Sequence, residues 1–343
     1  MEKRNPYIDF IKFPLALLVI YVHAPGQPDF HINDTIHLQD LLFWICQSVS
    51  FLSNFAVGGF FIISGYLFFR NVNEGNYRQF YKKLKRRYNI YIPSYFLWVT
   101  LFILFVCFIY NQRISDYILR VGILNAYLGF DNIHSMFTKC YPVLYTMWYM
   151  RDLIVTLTLS PIIYYILRKT PYGMLGIFII YLIVPIPTSS FFFVSVGVFI
   201  AVYEKTLIKH LNKKSVQIIV FTLALMMYVD SFINTGWMLI GGMGLIRSII
   251  IITALYLITS KYVVERYVKY GSCSYFIFAF HPFIIEIYLK VYYTRLSLIN
   301  LDLTIPYSFL YLLFPVSIYW LGYHLEKYTK KIPIIGNLLC AKY

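Results

Sequence analysis

Apolar residues run along this chain in long blocks, and short polar clusters separate them. The blocks approach the length of about 20 residues that a helix needs to cross a bilayer. They predict helices at about 7–25, 41–69, 88–110, 143–167, 172–186, 190–204, 215–230, 237–259, 272–293 and 304–326. The fifth and sixth are short and flank "VPIPTSS", so they also read as one broken hairpin. The predicted fold is an all-α integral membrane protein, a bundle of about ten transmembrane helices. Only 17 residues follow the last predicted span, so residues 1–343 are expected to form a single membrane-embedded domain with no appended soluble domain.

Composition strengthens that reading. The chain is 59% hydrophobic and 20% aromatic with 13% charged residues, and its mean hydropathy is +0.65. A soluble domain carries about 25% charged residues. The net charge of +15 raises the question of nucleic acid, and its distribution answers it. With the N-terminus placed in the cytoplasm, 22 of the 30 Lys and Arg fall on the cytoplasmic side of a ten-span topology. Five fall on the opposite side, and Lys12, Arg151 and Arg247 lie within spans. This is the positive-inside pattern with both termini cytoplasmic, and it requires no nucleic-acid partner.

Residues 1–24 also have the outline of a signal peptide: a basic start, an apolar stretch, then "HAPG". Lys12 interrupts the stretch, and removing it would leave an odd number of spans against the charge alternation. Of the five cysteines only Cys140 falls clearly in an outer loop, so no intrachain disulfide is expected there. No Cys/His spacing suggests a metal site.

Ionisable groups within the spans then stand out. Each costs about 2.5–3.5 kcal/mol at a helix centre on insertion scales, so such residues face protein or water and are functional candidates. In "DFIKFPLALLVIYVH", Lys12 and His23 are eleven residues apart, which leaves about 20° between them around the axis and about 16 Å along it. Asp9 lies within about 60° of Lys12. Taken singly, Lys12 also reads as snorkelling to the headgroups and His23 as capping the outer helix end. Further along are Trp148, Arg151 and Asp152 in "LYTMWYMRDLIV", Arg247, and His281 and Glu286 in "FAFHPFIIEIYLK". Glu286 and Lys290, at i,i+4, are placed to pair. Arg151 and Asp152 are adjacent, so they are expected to point apart and to need separate partners. Together these groups predict an internal polar site lined by Trp148, Arg151, Asp152, Arg247, His281 and Glu286.

"SVSFLSNFAVGGFFIISGYLFF" places Gly58 and Gly59 where small residues let membrane helices approach closely, and Asn54 where an amide needs partners. The segment 70–87 holds Arg70, Arg78, Lys82, Lys83, Lys85, Arg86 and Arg87 against Glu74. It suits anionic lipid headgroups or a phosphorylated ligand equally well.

The order of these pieces is familiar. "R…IDFIKFPLALLVIYVH", "FFIISGYLFF", "RRYNIYIPSY", "MWYMRDLIV" and "FAFHPFI" follow one another over essentially the whole chain. Together they resemble the acyltransferase-3 family, integral membrane proteins of about ten helices. The resemblance implies transfer of an acyl group, often acetyl, from cytoplasmic acyl-CoA to a carbohydrate or other acceptor at or beyond the membrane. The family's basic residue and His, with ten residues between them, match Lys12 and His23, although Lys stands where Arg is usual. Arg86 and Arg87 match paired arginines of the basic loop, with Ile90 where another Arg often stands. Arg151 and Asp152 replace a Glu that many members carry after the Trp.

These implications assign His23 as general base, with Asp9 and Asn54 as catalytic companions. Lys12, Arg78, Lys82, Arg86 and Arg87 are expected to bind the phosphates of acyl-CoA, a co-substrate rather than a resident cofactor. An imidazole with an ordinary pKa near 6.5 accepts a hydroxyl proton at neutral pH. Asp9 is too far along the axis to orient that imidazole, so another helix must supply the orienting group. The thioester oxygen needs a donor, for which Tyr, Arg151 and backbone N–H all remain open. No metal is expected. Expected partners are acyl-CoA, a hydroxyl acceptor and membrane lipids. The expected location is a bacterial cytoplasmic membrane, with the acidic 25–40 segment outside. A transporter or flippase would also line a central path with charge, though no inverted repeat is evident. A membrane adaptor or sensor would leave His23 dispensable.

Overall fold

The computed structural model describes residues 6–25, 38–70, 72, 77–129, 141–183, 189–233, 243–260, 265–295 and 304–341. Among them every regular element is a helix. The 25–40 loop, Glu74 and Cys140 fall wholly or largely outside the described residues. Eight helical segments are long and apolar enough to cross a membrane, by length and composition: Pro6–His23, Leu41–Phe69, Arg78–Ile109, Tyr145–Lys169, Ser189–Leu211, Lys214–Ser231, Ser274–Tyr292 and Ser308–Thr329. Two apolar helices, Gly173–Leu182 and Gly244–Thr259, are shorter. Each of the ten predicted blocks overlaps a helix among the described residues, and eight helical segments reach spanning length.

The helices are α1 (Pro6–His23), α2 (Leu38–Ser53), α3 (Ala56–Phe69), α4 (Tyr77–Ile109), α5 (Ile114–Val121), α6 (Ile123–Leu128), α7 (Trp148–Lys169), α8 (Gly173–Ile183), α9 (Ser189–Leu211), α10 (Lys214–Ile233), α11 (Met243–Thr259), α12 (Glu265–Gly271), α13 (Ser274–Arg295), α14 (Thr304–Thr329) and α15 (Ile335–Leu339). The predicted second span is two helices, broken at Asn54–Phe55. Short α5, α6, α12 and α15 lack the long apolar runs that mark a span, and the block pattern missed them.

Contacts between helix ends fix the topology. The Phe13 ring meets Tyr270 and Tyr319 at 5.6 and 5.0 Å, and the Tyr7 hydroxyl is 2.9 Å from Thr259 Oγ1. The start of α1, the end of α11 and the last turns of α14 thus share one end of the bundle. At the other end Tyr21 lies 5.5 Å from Tyr311 and donates to the Leu312 carbonyl at 2.7 Å. The first and last long helices are therefore antiparallel.

The main core gathers α1, α3, α4, α7, α9 and α13, with Phe61, Phe68, Val99, Met147, Met150, Leu157 and Val194 at or below 1% exposure. Its tightest seam is α3 on α9. A Cβ at Gly65 would lie 2.4 Å from the Val194 carbonyl oxygen, and one at Gly197 2.2 Å from that of Ile62. This corrects the expectation for Gly58 and Gly59. They meet the Phe193 ring and the Leu15 side chain, not backbone. The backbones touch one to two turns further along.

Candidate active site

His23 is the last residue of α1, so its ring leaves the helix end toward neighbouring elements. Two of them meet it. The Tyr145 ring stands edge-on, with centroids 4.8 Å apart and planes at 63°. The His281 ring lies nearly parallel, 5.6 Å away at 22°. Tyr145 comes from a 3-10 turn, Tyr145–Met147, that leads into α7 and packs on α13. His281 comes from the second turn of α13 and is fully buried.

The bonding of His281 is asymmetric. Its Nδ1 lies 3.1 Å from the Ile277 carbonyl oxygen. A carbonyl only accepts, so Nδ1 carries the hydrogen and Nε2 holds the lone pair. Pro282 has no N–H, which frees the Phe278 carbonyl as a second acceptor beside the ring. His281 Nε2 is buried and has no hydrogen-bond partner among the described residues, and the same holds for Thr146 Oγ1 of the 3-10 turn. Buried polar atoms are nearly always paired in folded proteins. The two elements that carry these atoms, the 3-10 turn and α13, pack together.

An aromatic wall leads from the basic segment to this pair. Arg87 lies 5.6 Å from the Phe68 ring centroid and donates to the Tyr91 hydroxyl at 2.8 Å. Deeper in the bundle, the Tyr149 hydroxyl is 3.1 Å from Ser64 Oγ. Tyr149 packs on Phe61 at 4.5 Å and Phe278 at 5.2 Å, and Phe278 lies 6.2 Å from His281. Trp148 flanks the wall, 6.0 Å from Phe61.

The basic helix presents two faces. Lys83 and Arg87 turn inward, and Lys83 donates to the Phe68 and Arg70 carbonyls that end α3. Arg78, Lys82, Lys85 and Arg86 are exposed. On the same side α4 continues into exposed Ile92, Phe96 and Leu104. The four cations thus precede a lipid-facing stripe.

The remaining ionisable groups are dispersed rather than gathered into one cavity. Lys12 Nζ is 3.1 Å from Asp9 Oδ1, near the start of α1. That pair is about 16 Å or more from His23 along the axis. Gly271 permits it: a Cβ there would collide with the Asp9 carbonyl oxygen, so α12 lies directly on α1. Asn54, expected as a companion of His23, is exposed at the α2–α3 break.

Arg151 and Asp152, expected to point apart, bind each other through Nε and Oδ1 at 3.0 Å. The long Arg stem bends sideways, because leaving a charge unpaired at low dielectric costs more than the bend. Arg151 also donates to the Leu128 carbonyl, and Ser190 Oγ donates to Asp152 Oδ2 at 3.5 Å. Arg247 sits against α2, 4.5 Å from the Phe51 centroid, and donates to the Met227 carbonyl. Glu286 accepts from the Tyr110 hydroxyl at 2.7 Å, and Lys290 donates to the Ile109 carbonyl, so both tie α13 to the end of α4.

Sequence reasoning singled out His23 and His281 but not Tyr145, which packs against His23. Tyrosine is too common here, with 34 in the chain, for one to stand out. The four described cysteines, Cys46, Cys107, Cys273 and Cys340, are buried. Among the described residues no group of three or more His, Cys, Asp or Glu is placed to hold a metal.

A many-helix membrane bundle holding a pair of imidazoles and a tyrosine at the end of its first helix defines the class: a multi-pass membrane protein with a buried polar site. A family model described as "Acyltransferase domain", Acyl_transf_3, matches residues 5–324. The chain belongs to the acyltransferase-3 family and is a membrane acyltransferase. No curated protein and no solved structure matches it.

Proposed function

We propose that this protein moves an acetyl group from cytoplasmic acetyl-CoA to a hydroxyl of a cell-envelope carbohydrate or similar acceptor, with His23 as general base. The observation that carries this reading is the placement of His23 against His281 and Tyr145, at the far end of the aromatic wall from Arg87. A CoA thioester is polyanionic at one end and reactive at the other, joined by a thin arm. Arg87 and its exposed neighbours suit the phosphates, the wall of Phe68, Tyr91, Tyr149 and Phe278 suits the arm, and His23 suits the thioester.

The chemistry is direct transfer. His23 takes the proton of the acceptor hydroxyl as its oxygen attacks the thioester carbonyl carbon. The tetrahedral intermediate carries its charge on the former carbonyl oxygen, and Tyr145, whose ring stands against His23, offers a hydroxyl to meet it. The carbon–sulfur bond then breaks, and the thiolate takes the proton back from His23. The products are an ester and free CoA thiol. The setting is a bacterial cytoplasmic membrane, with the donor site on the side that carries the basic segment.

Purified protein supplied with radiolabelled acetyl-CoA and membrane carbohydrate tests this reading. Label is expected to move to the carbohydrate as an alkali-labile ester. Movement of unmodified substrate across vesicle membranes, with no ester formed, would instead support a transporter.

A further inference from the structure

We infer that His281 is the positioning residue for His23: its Nε2 accepts the second N–H of the His23 ring, directly or through one water, and so fixes which His23 nitrogen is free to take a proton. The inference rests on the acyl-transfer reading only for its kinetic consequence, not for its geometry.

Three observations converge. A neutral imidazole has one N–H and one lone pair, and it serves as a base only when the N–H points away from the substrate. His23 therefore needs an acceptor behind it, and Asp9 cannot supply one because it is held by Lys12 near the opposite end of α1. Secondly, His281 Nε2 can only accept, because the ring's single hydrogen is committed at Nδ1 to the Ile277 carbonyl. Thirdly, that Nε2 is fully buried, has no partner among the described residues, and belongs to a ring 5.6 Å from the His23 ring. A small rotation of His23, or one bridging water, closes the contact. Carboxylates play this role behind many catalytic histidines. A neutral imidazole carries no charge of its own, so it orients His23 without adding a buried anion.

The pair has a second property. Two imidazoles this close in a low-dielectric setting resist carrying two protons at once. The proton taken from the acceptor thus stays on the pair as a single charge until the thiolate collects it.

The test separates this role from packing. In His281→Asn, the amide nitrogen sits where Nδ1 was and keeps the bond to the Ile277 carbonyl, but nothing reaches the Nε2 position. In His281→Gln, the amide oxygen reaches the Nε2 position. In detergent-purified full chain with 15N-labelled histidine, the His23 ring nitrogens are expected to show one tautomer in wild type and in His281→Gln, and a mixture in His281→Asn. Acetyl transfer from labelled acetyl-CoA in membranes is expected to fall about 10²-fold in kcat for His281→Asn, the cost of a misplaced group, with donor KM unchanged. His281→Gln is expected to retain most of it.

A mixed tautomer in wild type overturns the inference whatever the activity, and so does a single tautomer in His281→Asn or a mixture in His281→Gln. If His23 behaves as expected but no acetyl transfer occurs in wild type, the acyl-transfer reading fails and this one stands. Should either variant fail to fold, the wild-type spectrum still decides.

Discussion

Gly65 of α3 and Gly197 of α9 meet so closely that a Cβ built on Gly65 would lie 3.3 Å from the Gly197 Cα. That approach brings α9 onto α3, whose Phe61 and Ser64 side chains hold Tyr149 in the wall behind the histidines. Membrane helices gain no hydrophobic drive from contact with each other, so close packing at small residues holds them together. Gly197→Ala, which drives a methyl into the Ile62 carbonyl, is expected to cost about 1–3 kcal/mol, as overpacking does. Gly176→Ala meets nothing within 4 Å and is expected to leave stability unchanged or slightly raised. Thermal unfolding of the two variants in detergent checks this, and equal melting points would refute it.

His23→Ala is expected to lower acetyl transfer by about 10²- to 10⁴-fold, the range for loss of a general base. The ring is only part-buried and ends its helix, so the melting temperature is expected to hold. A purified variant with wild-type turnover would remove His23 from the mechanism.

Arg87 and Arg86 are neighbours in sequence with different surroundings. Arg87→Gln is expected to raise the donor KM more than the acceptor KM, because Arg87 lies inward on the wall. Arg86→Gln is expected to affect donor binding less, since that side chain is exposed on the face that continues into the lipid-facing stripe. Donor affinity is also expected to fall as salt rises, through screening of phosphate contacts. Titration of CoA against each variant at two salt concentrations reads all three effects.

Arg151 and Asp152 hold α7 to α6 and α9 through the Leu128 carbonyl and Ser190. Asp152→Asn leaves the Arg151 charge short of its counter-ion and is expected to destabilise by about 3 kcal/mol, the low end for a broken buried pair. The low end applies because the Arg151 side chain retains 20% exposure. The double variant with Arg151→Gln is expected to lose less than the sum of the singles, as coupled residues do. Additive losses in a double-mutant cycle would refute the pairing.

Transfer is expected to be sided. His23 lies about three turns along α1 from Lys12, and the positive-inside pattern is expected to place the Lys12 end in the cytoplasm. In sealed inside-out vesicles, added acetyl-CoA should acetylate acceptor enclosed in the lumen. Acetyl-CoA enclosed together with the acceptor should not react. Equal reaction from enclosed donor would refute the cross-membrane route and leave acyl transfer itself intact.

Hydropathy along the chain is enough to identify a helical membrane protein, to locate its ten apolar blocks, and to pick out His23 and His281 as ionisable residues within them. Those properties are local: hydropathy and helical spacing depend on neighbours a few residues away, and the energetic penalty for a charge in lipid does not depend on the fold. Only the tertiary structure decided which groups meet. His23 and His281 are 258 residues apart in the chain, and nothing in either segment encodes a ring contact between them. Asp9 and Lys12 pair at i,i+3, which spacing alone allows, but only packing brings Gly271 of a distant helix against the Asp9 backbone beside them. Arg151 turned to its own neighbour, because in a low-dielectric interior a near counter-charge outweighs the direction a side chain leaves its helix. Tyr145 was hidden among many tyrosines until a 3-10 turn laid it on His23, since a residue type marks a possible donor and only packing gives it a place to donate.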